Sequence, residues 1–161
     1  MTTTPDPTAA TPSADEIAAV HDLHEDVDSG PHPFAVDIER ATLGNTNYRT
    51  TVWTGQFMQL TVMAIKPGDD VGLEVHEDHD QFFRVEAGRG RVQMGPAEDD
   101  LSFDREVADD DVVMVPAGSW HNITNIGDED LKVYSLYGPP EHEHGRVHVT
   151  KADQESDPTE D

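Results

Sequence analysis

The stretch Gly72–Phe83, GLEVHEDHDQFF, packs two histidines and four carboxylates into twelve positions. The chain around it is very acidic, with 34 Asp and Glu against 10 Lys and Arg, so composition alone would assign the stretch to surface. Spacing says more. Along an extended strand side chains alternate faces, so Glu74 and His76 point one way and Val75 the other. A carboxylate and an imidazole two apart on one strand make half of a chelate. Glu77–Asp80 then read as a solvated turn, in which His79, three residues after His76, is not held on His76's face. Gln81 opens the next extended run, QFFRVEAG (residues 81–88), and can sit opposite the Glu74/His76 pair.

Outward from this point the chain reads as strands. YRTTVWTG, QFMQLTVMAIKPG, VGLEVH, QFFRVEAG, GRVQMG, LSFDREV, DDVVMVPAG, SWHNITNIG and LKVYSLYG are each rich in β-branched or aromatic residues. Each ends on Gly, Pro or Asp turn chemistry. About nine short strands with no long helix between them predict an all-β sandwich or barrel. Gly88-Arg89-Gly90 reads as a hairpin turn between two of them. Downstream, His121 follows a Pro-x-Gly turn in VPAGSWHNITN (residues 115–125).

Two gapped patterns link these features. The first is Gly68, five residues, Glu74-Val75-His76, four residues, Gln81, six residues, Gly88. The second is Asp110, five residues, Pro116-Ala117-Gly118, two residues, His121, three residues, Asn125. In spacing they resemble the two motifs of the cupins, small jelly-roll β-barrels, and the resemblance covers roughly residues 45–140. It implies one cupin-type jelly-roll barrel at residues 34–149, between an acidic segment at 1–33 and an acidic tail at 150–161.

The resemblance also implies a metal site on Glu74, His76, Gln81 and His121. Only His76 and His121 match the family by residue type. Glu74 stands where the first His is usual, and Gln81 where Glu is usual. One negative ligand charge is kept, and the donor set becomes O, N, O, N. That suits one divalent transition metal, Mn, Fe, Zn, Ni or Co, without selecting among them. Gln81 either ligates weakly or hydrogen-bonds a bound water or substrate. Asp110 replaces a turn glycine and leaves the chemistry alone. Cupins include sugar isomerases and epimerases, uronate lyases, dioxygenases and binding modules. The expectation is a metal-dependent enzyme doing isomerase- or lyase-type Lewis-acid chemistry on a small polar carbonyl or sugar-like substrate. The alternatives are a metal-dependent dioxygenase and a non-catalytic small-molecule-binding cupin. The neutral Gln81 shades the reading toward non-redox work.

The remaining residues bound the picture. A formal net charge of -24 matches the surface of a halophile's cytoplasmic protein and argues against nucleic acid or anionic membrane as partners. No signal peptide or membrane-length apolar run is present. The absence of cysteine removes disulfides, thiolate nucleophiles and Cys-type zinc sites. No nucleophile elbow, phosphate loop or dinucleotide fingerprint occurs. Residues 1–12 read as disordered, and Ser13-Ala14-Asp15-Glu16 has capping-box spacing before a thin apolar stripe, which predicts a short helix. KADQESDPTED reads as a solvated end. His21, His24, His32, His142, His144 and His148 read as exposed histidines. Phe83 and Val85 share Gln81's strand parity and read as core. Trp53, Met63, Tyr134 and Tyr137 are candidates for pocket wall, barrel core or interface. Arg84, Arg89 and Arg91 are expected to pair surface acids. The resemblance to cupins, which commonly pair by joining their outer sheet faces, implies a homodimer; the alternative is that the N-terminal helix covers the exposed edge within one subunit.

Overall fold

The structure is a computed structural model that describes residues 27–160. A short helix, α1 (Ile38–Gly44), is capped by Asp37, whose side chain accepts from the Arg40 amide at 3.0 Å. Nine strands follow: β1 (Arg49–Thr54), β2 (Gln59–Ile65), β3 (Asp80–Ala87), β4 (Arg89–Gly95) and β5 (Phe103–Ala108), then β6 (Val112–Val115), β7 (Trp120–Asn125), β8 (Leu131–Gly138) and β9 (Val147–His148). A final helix, α2 (Lys151–Glu155), carries a full capping box between Thr150 and Asp153. The helix expected from Ser13 onward lies outside the described residues.

The strands form two antiparallel sheets, ordered β6-β3-β8-β2-β1-β9 and β5-β4-β7. This is the all-β architecture the strand pattern predicts and the jelly-roll arrangement the cupin resemblance implies. Alternation produces it directly. In β7 every second residue (His121, Ile123, Asn125) is buried, and in β8 the same period buries Leu131, Val133, Ser135 and Tyr137. Between the sheets Ile123, Leu131 and Val133 meet Met63, Ile65, Phe83, Val85 and Val92 in one apolar core. α1 lies against β8, β3 and β2. Ahead of residue 34 the chain already touches the barrel: Asp28 is buried and accepts from the amides of Gly30 and Thr54, each at 2.9 Å.

Three expectations change here. VGLEVH is not a strand. Gly72 sits at φ +89°, a conformation open to glycine, and it leaves only single bridges from Asp70 and Glu74 to Thr124 and His121. Gly88-Arg89-Gly90 is not a hairpin, because β3 and β4 belong to different sheets. Gly88, at φ +87°, is the corner where the chain leaves one sheet for the other. The acidic C-terminal stretch is also more ordered than its composition suggests. It folds back, and the Glu160 side chain is 4% exposed against Arg49 and His142.

The motif residues are mostly structural. Asn125 donates to the Ile65 and Glu129 carbonyls at 2.8 and 2.7 Å and accepts from the Gly127 amide, tying the end of β7 to β2. Asp110 holds φ +73°, so it carries out the left-handed turn that glycine usually makes, and it pairs with Arg84.

Candidate metal centre

β7 aims His121 inward, and its backbone pairs with Glu74 in both directions: Glu74 N–H donates to His121 O at 3.1 Å, and His121 N–H to Glu74 O at 2.9 Å. Although no regular strand runs through residues 71–76, this bridge fixes Glu74 opposite His121, and alternation still brings His76 to the same side. Ligand atoms of Glu74, His76 and His121 lie within 4.8 Å of one another. Glu74 Oε1 is 3.3 Å from His121 Nε2 and 3.4 Å from His76 Nε2. Gln81 enters from β3, with Oε1 at 3.1 Å from His121 Nε2. The structure therefore brings all four residues together.

The proton positions give this geometry its meaning. His121 Nδ1 lies 2.9 Å from the Ser119 carbonyl, which only accepts, so the ring proton belongs there. Nε2 faces Gln81 Oε1 and Glu74 Oε1 and, once without a proton, could ligate a metal. At His76 the pattern recurs. Nδ1 faces Glu141 Oε1 at 3.5 Å, while the buried Nε2 has no hydrogen-bond partner among the described residues. Four atoms able to ligate a metal converge on one point. A divalent transition metal could sit there, since a donor set of imidazole, carboxylate and amide suits one.

Electrostatics agree. Burial alone would push the Glu74 carboxyl up, but hydrogen bonding to His121 and His76 and the charge of Arg49 hold it below the usual carboxylate range. Burial lowers the His76 imidazole, yet Glu74 and then Glu141 raise it above its ordinary value. The wall opposite is Tyr137, whose phenol burial pushes up to about 12, so it remains a neutral donor.

Other sequence-derived candidates separate cleanly. Met63, Phe83 and Tyr137 line the cavity beside Glu74, Gln81 and His121. Val85 is core, while Trp53 hydrogen-bonds the His32 carbonyl and Tyr134 meets the Phe82 ring. Arg84, Arg89 and Arg91 pair with Asp110, Glu106 and Asp104, as expected. Glu77, Asp78 and Asp80 are exposed, but His79 is not. It is 6% exposed, stacks on His76 at 4.4 Å, and sets Nε2 2.9 Å from Glu141 Oε2. His142 and His148 are likewise buried, and His144 is half exposed. They are buried because the C-terminal stretch covers them, with Glu160 2.7 Å from His142 and Asp157 3.0 Å from His148.

Two groups escaped the sequence reading altogether. Arg49 lines the cavity and is 1% exposed. Glu141 holds both His76 and His79. A lone Arg opening a strand reads as surface, and a Glu just after Pro-Pro carries no spacing signal. The parity of Arg49 with Val85 and Met63 appears only once strand register is known.

Comparison with known proteins gives the chain its relatives. It is 53% identical over 126 residues to the uncharacterized protein YrkC of Bacillus subtilis (strain 168), covering 78% of this chain and 68% of that one. It is 33% identical over 119 residues to the uncharacterized protein L612 of Acanthamoeba polyphaga mimivirus, covering 73% and 72%. The crystal structure of BH2720 from Bacillus halodurans superposes with a TM-score of 0.81 at 51% identity, covering 81% of this chain and 99% of that one. A cupin-domain sequence model matches residues 61–137, a span holding Glu74, His76, Gln81 and His121. The chain belongs to the cupin family. In this cupin the residues that could hold a metal sit where the two sheets face each other: Gln81 comes from the six-stranded sheet, and His121 from the three-stranded one. No helix among the described residues is long and apolar enough to cross a membrane.

Proposed function

We propose that this cupin is a metal-dependent enzyme acting on a small polar carbonyl or sugar-like molecule by isomerase- or lyase-type chemistry. One observation carries the reading: Glu74 Oε1, Gln81 Oε1, His76 Nε2 and His121 Nε2, each able to ligate a metal, converge with neighbouring atoms 3.1 to 3.4 Å apart. A divalent ion bound there would polarise a carbonyl or hydroxyl oxygen as a Lewis acid.

The chain's own groups support the rest. The cavity is narrow, with room as it stands for about one water-sized group, so it takes at most a small molecule. Val71, Phe83, Ile123 and Val133 line it and keep bulk water from the reacting atoms. Tyr137 offers a neutral hydrogen-bond donor. Glu74 stays ionised, held so by His121, His76 and Arg49, and would give the ion its one negative ligand charge. Gln81 adds no charge, which favours non-redox work over dioxygenase chemistry. Pairing of two copies through the edge strand β6 fits its outward Val112 and Met114. A halophilic cytoplasm fits the net charge of -24.

The test begins with bound metal per chain, by elemental mass spectrometry on untagged protein, beside a His76→Ala/His121→Ala double variant. About one transition metal in the native chain and none in the variant is the expected result. Small hydroxyketones and ketoses are then incubated with each protein in D₂O, and proton exchange next to the carbonyl is followed by NMR. Exchange by the native protein alone supports the reading. Oxygen uptake without exchange moves it to a dioxygenase, and metal binding with neither moves it to a binding module.

A further inference from the structure

Arg49 has no place in a reading that stops at the metal ligands. It opens β1, and its partner in register is Met63 on β2, which in turn pairs with Val133 on β8. All three line the cavity, so a guanidinium stands in an apolar row of barrel-interior side chains. A guanidinium carries five N–H donors and cannot shed its charge. Among the described residues Arg49 has one acceptor, Glu160 Oε2, at a long 3.5 Å from Nη1. Its Nε is buried and has no acceptor among the described residues. The cavity's own carboxylate, Glu74, is in contact with His76 and His121 and makes no ion pair with Arg49. A charge stripped of water and left mostly unbonded is costly, and an anion entering the cavity would relieve that cost.

We infer that Arg49 anchors the carboxylate of the molecule this cavity takes, which makes the ligand class a small carboxylic acid with a second oxygen function, carbonyl or hydroxyl, directed at Glu74, His76 and His121. The carboxylate part rests on Arg49 alone; the second oxygen rests on the metal-centre reading above. Carboxylate is the chemistry already at this guanidinium, since Glu160 touches it from the C-terminal stretch. The planar fork of Arg matches a planar carboxylate with two parallel hydrogen bonds. Glu160 is thereby an internal competitor: the tail carboxylate and the incoming one share a single guanidinium.

The test is isothermal titration calorimetry on the full chain at constant ionic strength. Pyruvate is compared with hydroxyacetone, its neutral counterpart of similar shape, on chelator-treated and on zinc-loaded protein. Pyruvate should bind at least about 10-fold more tightly than hydroxyacetone, as loss of a charged hydrogen bond predicts. Arg49→Met should erase that preference and leave hydroxyacetone unchanged. Glu160→Gln should strengthen pyruvate binding alone. A native protein without the preference, or a folded Arg49→Met variant that keeps it, overturns the inference. Should Arg49→Met fail to fold by circular dichroism, Glu160→Gln decides, and unchanged or weaker pyruvate binding overturns it. A preference for pyruvate in a protein that takes up no metal leaves the carboxylate site standing and removes the metal centre. Metal uptake without the preference does the reverse.

Discussion

Gly88→Ala should destabilise the protein far more than Gly72→Ala, although the two glycines have nearly the same backbone. Gly88 sits at φ +87° and Gly72 at φ +89°. An alanine forced into left-handed backbone costs about 1–2 kcal/mol at either position. The surroundings then separate them. A Cβ on Gly88 would lie 2.8 Å from the Asp130 carbonyl oxygen and 3.0 Å from Leu131 Cα, whereas a Cβ on Gly72 meets nothing within 4 Å. The atoms beside Gly88 are backbone, so relief requires the start of β8 to move against β3. Forced overpacking of that kind adds about 1–3 kcal/mol. Gly88→Ala should therefore cost about 2–5 kcal/mol and Gly72→Ala about 1–2. Urea unfolding at constant salt, followed by circular dichroism, measures both, and the midpoints should differ by about 1 M. Equal midpoints would refute the claim that close approach at the sheet-to-sheet corner, rather than φ alone, demands glycine there.

Three further outcomes follow from the site and its surroundings. Glu141→Gln should weaken metal binding about 10- to 100-fold in a competition titration without lowering the saturating stoichiometry, because Glu141 orients the His76 ring from behind. His142 is held neutral, since burial and then the Arg49 charge push its imidazole down to about 4 against the pull of Glu160. The unfolded chain protonates first, near pH 6.5, so stability is full above that pH and is lost as pH falls toward 4. The loss runs at most about 1.4 kcal/mol per pH unit, and a His142→Gln variant should lack that part of the slope in parallel urea titrations. With a net charge of -24, the native protein should also gain in melting temperature as KCl rises from about 0.05 to 1 M, a change a neutral osmolyte would not reproduce.

The barrel was legible because its strands alternate and its turns carry fixed chemistry. His121 and Asn125 follow Pro116-Ala117-Gly118 at a spacing that local backbone geometry enforces, and Gly88 closes the first motif for the steric reason just given. Glu74 and His76 were correctly placed on one side even though their segment is not a strand, because two-residue parity survives in any extended chain. His79 was misread for the opposite reason. Its neighbours Glu77, Asp78 and Asp80 are solvated, and nothing local reveals that Glu141, far along the chain, closes over it. Arg49 and the C-terminal stretch share that blindness. The burial of Arg49 depends on β2 lying beside β1 and on Glu160 arriving from the far end of the chain, and neither pairing leaves a mark on the residues nearby.

The placement of Gln81 and His121 on opposite sheets has a mechanical consequence. Any ion gripped by both becomes a rivet through the sandwich, fastening two layers otherwise held by side-chain packing and the chain crossings at their rims. Occupancy would then be felt as rigidity. At an ion concentration one hundred times its dissociation constant the rivet contributes about 2.7 kcal/mol to the folded state. The layers would begin to part most readily in a chain emptied of its ion.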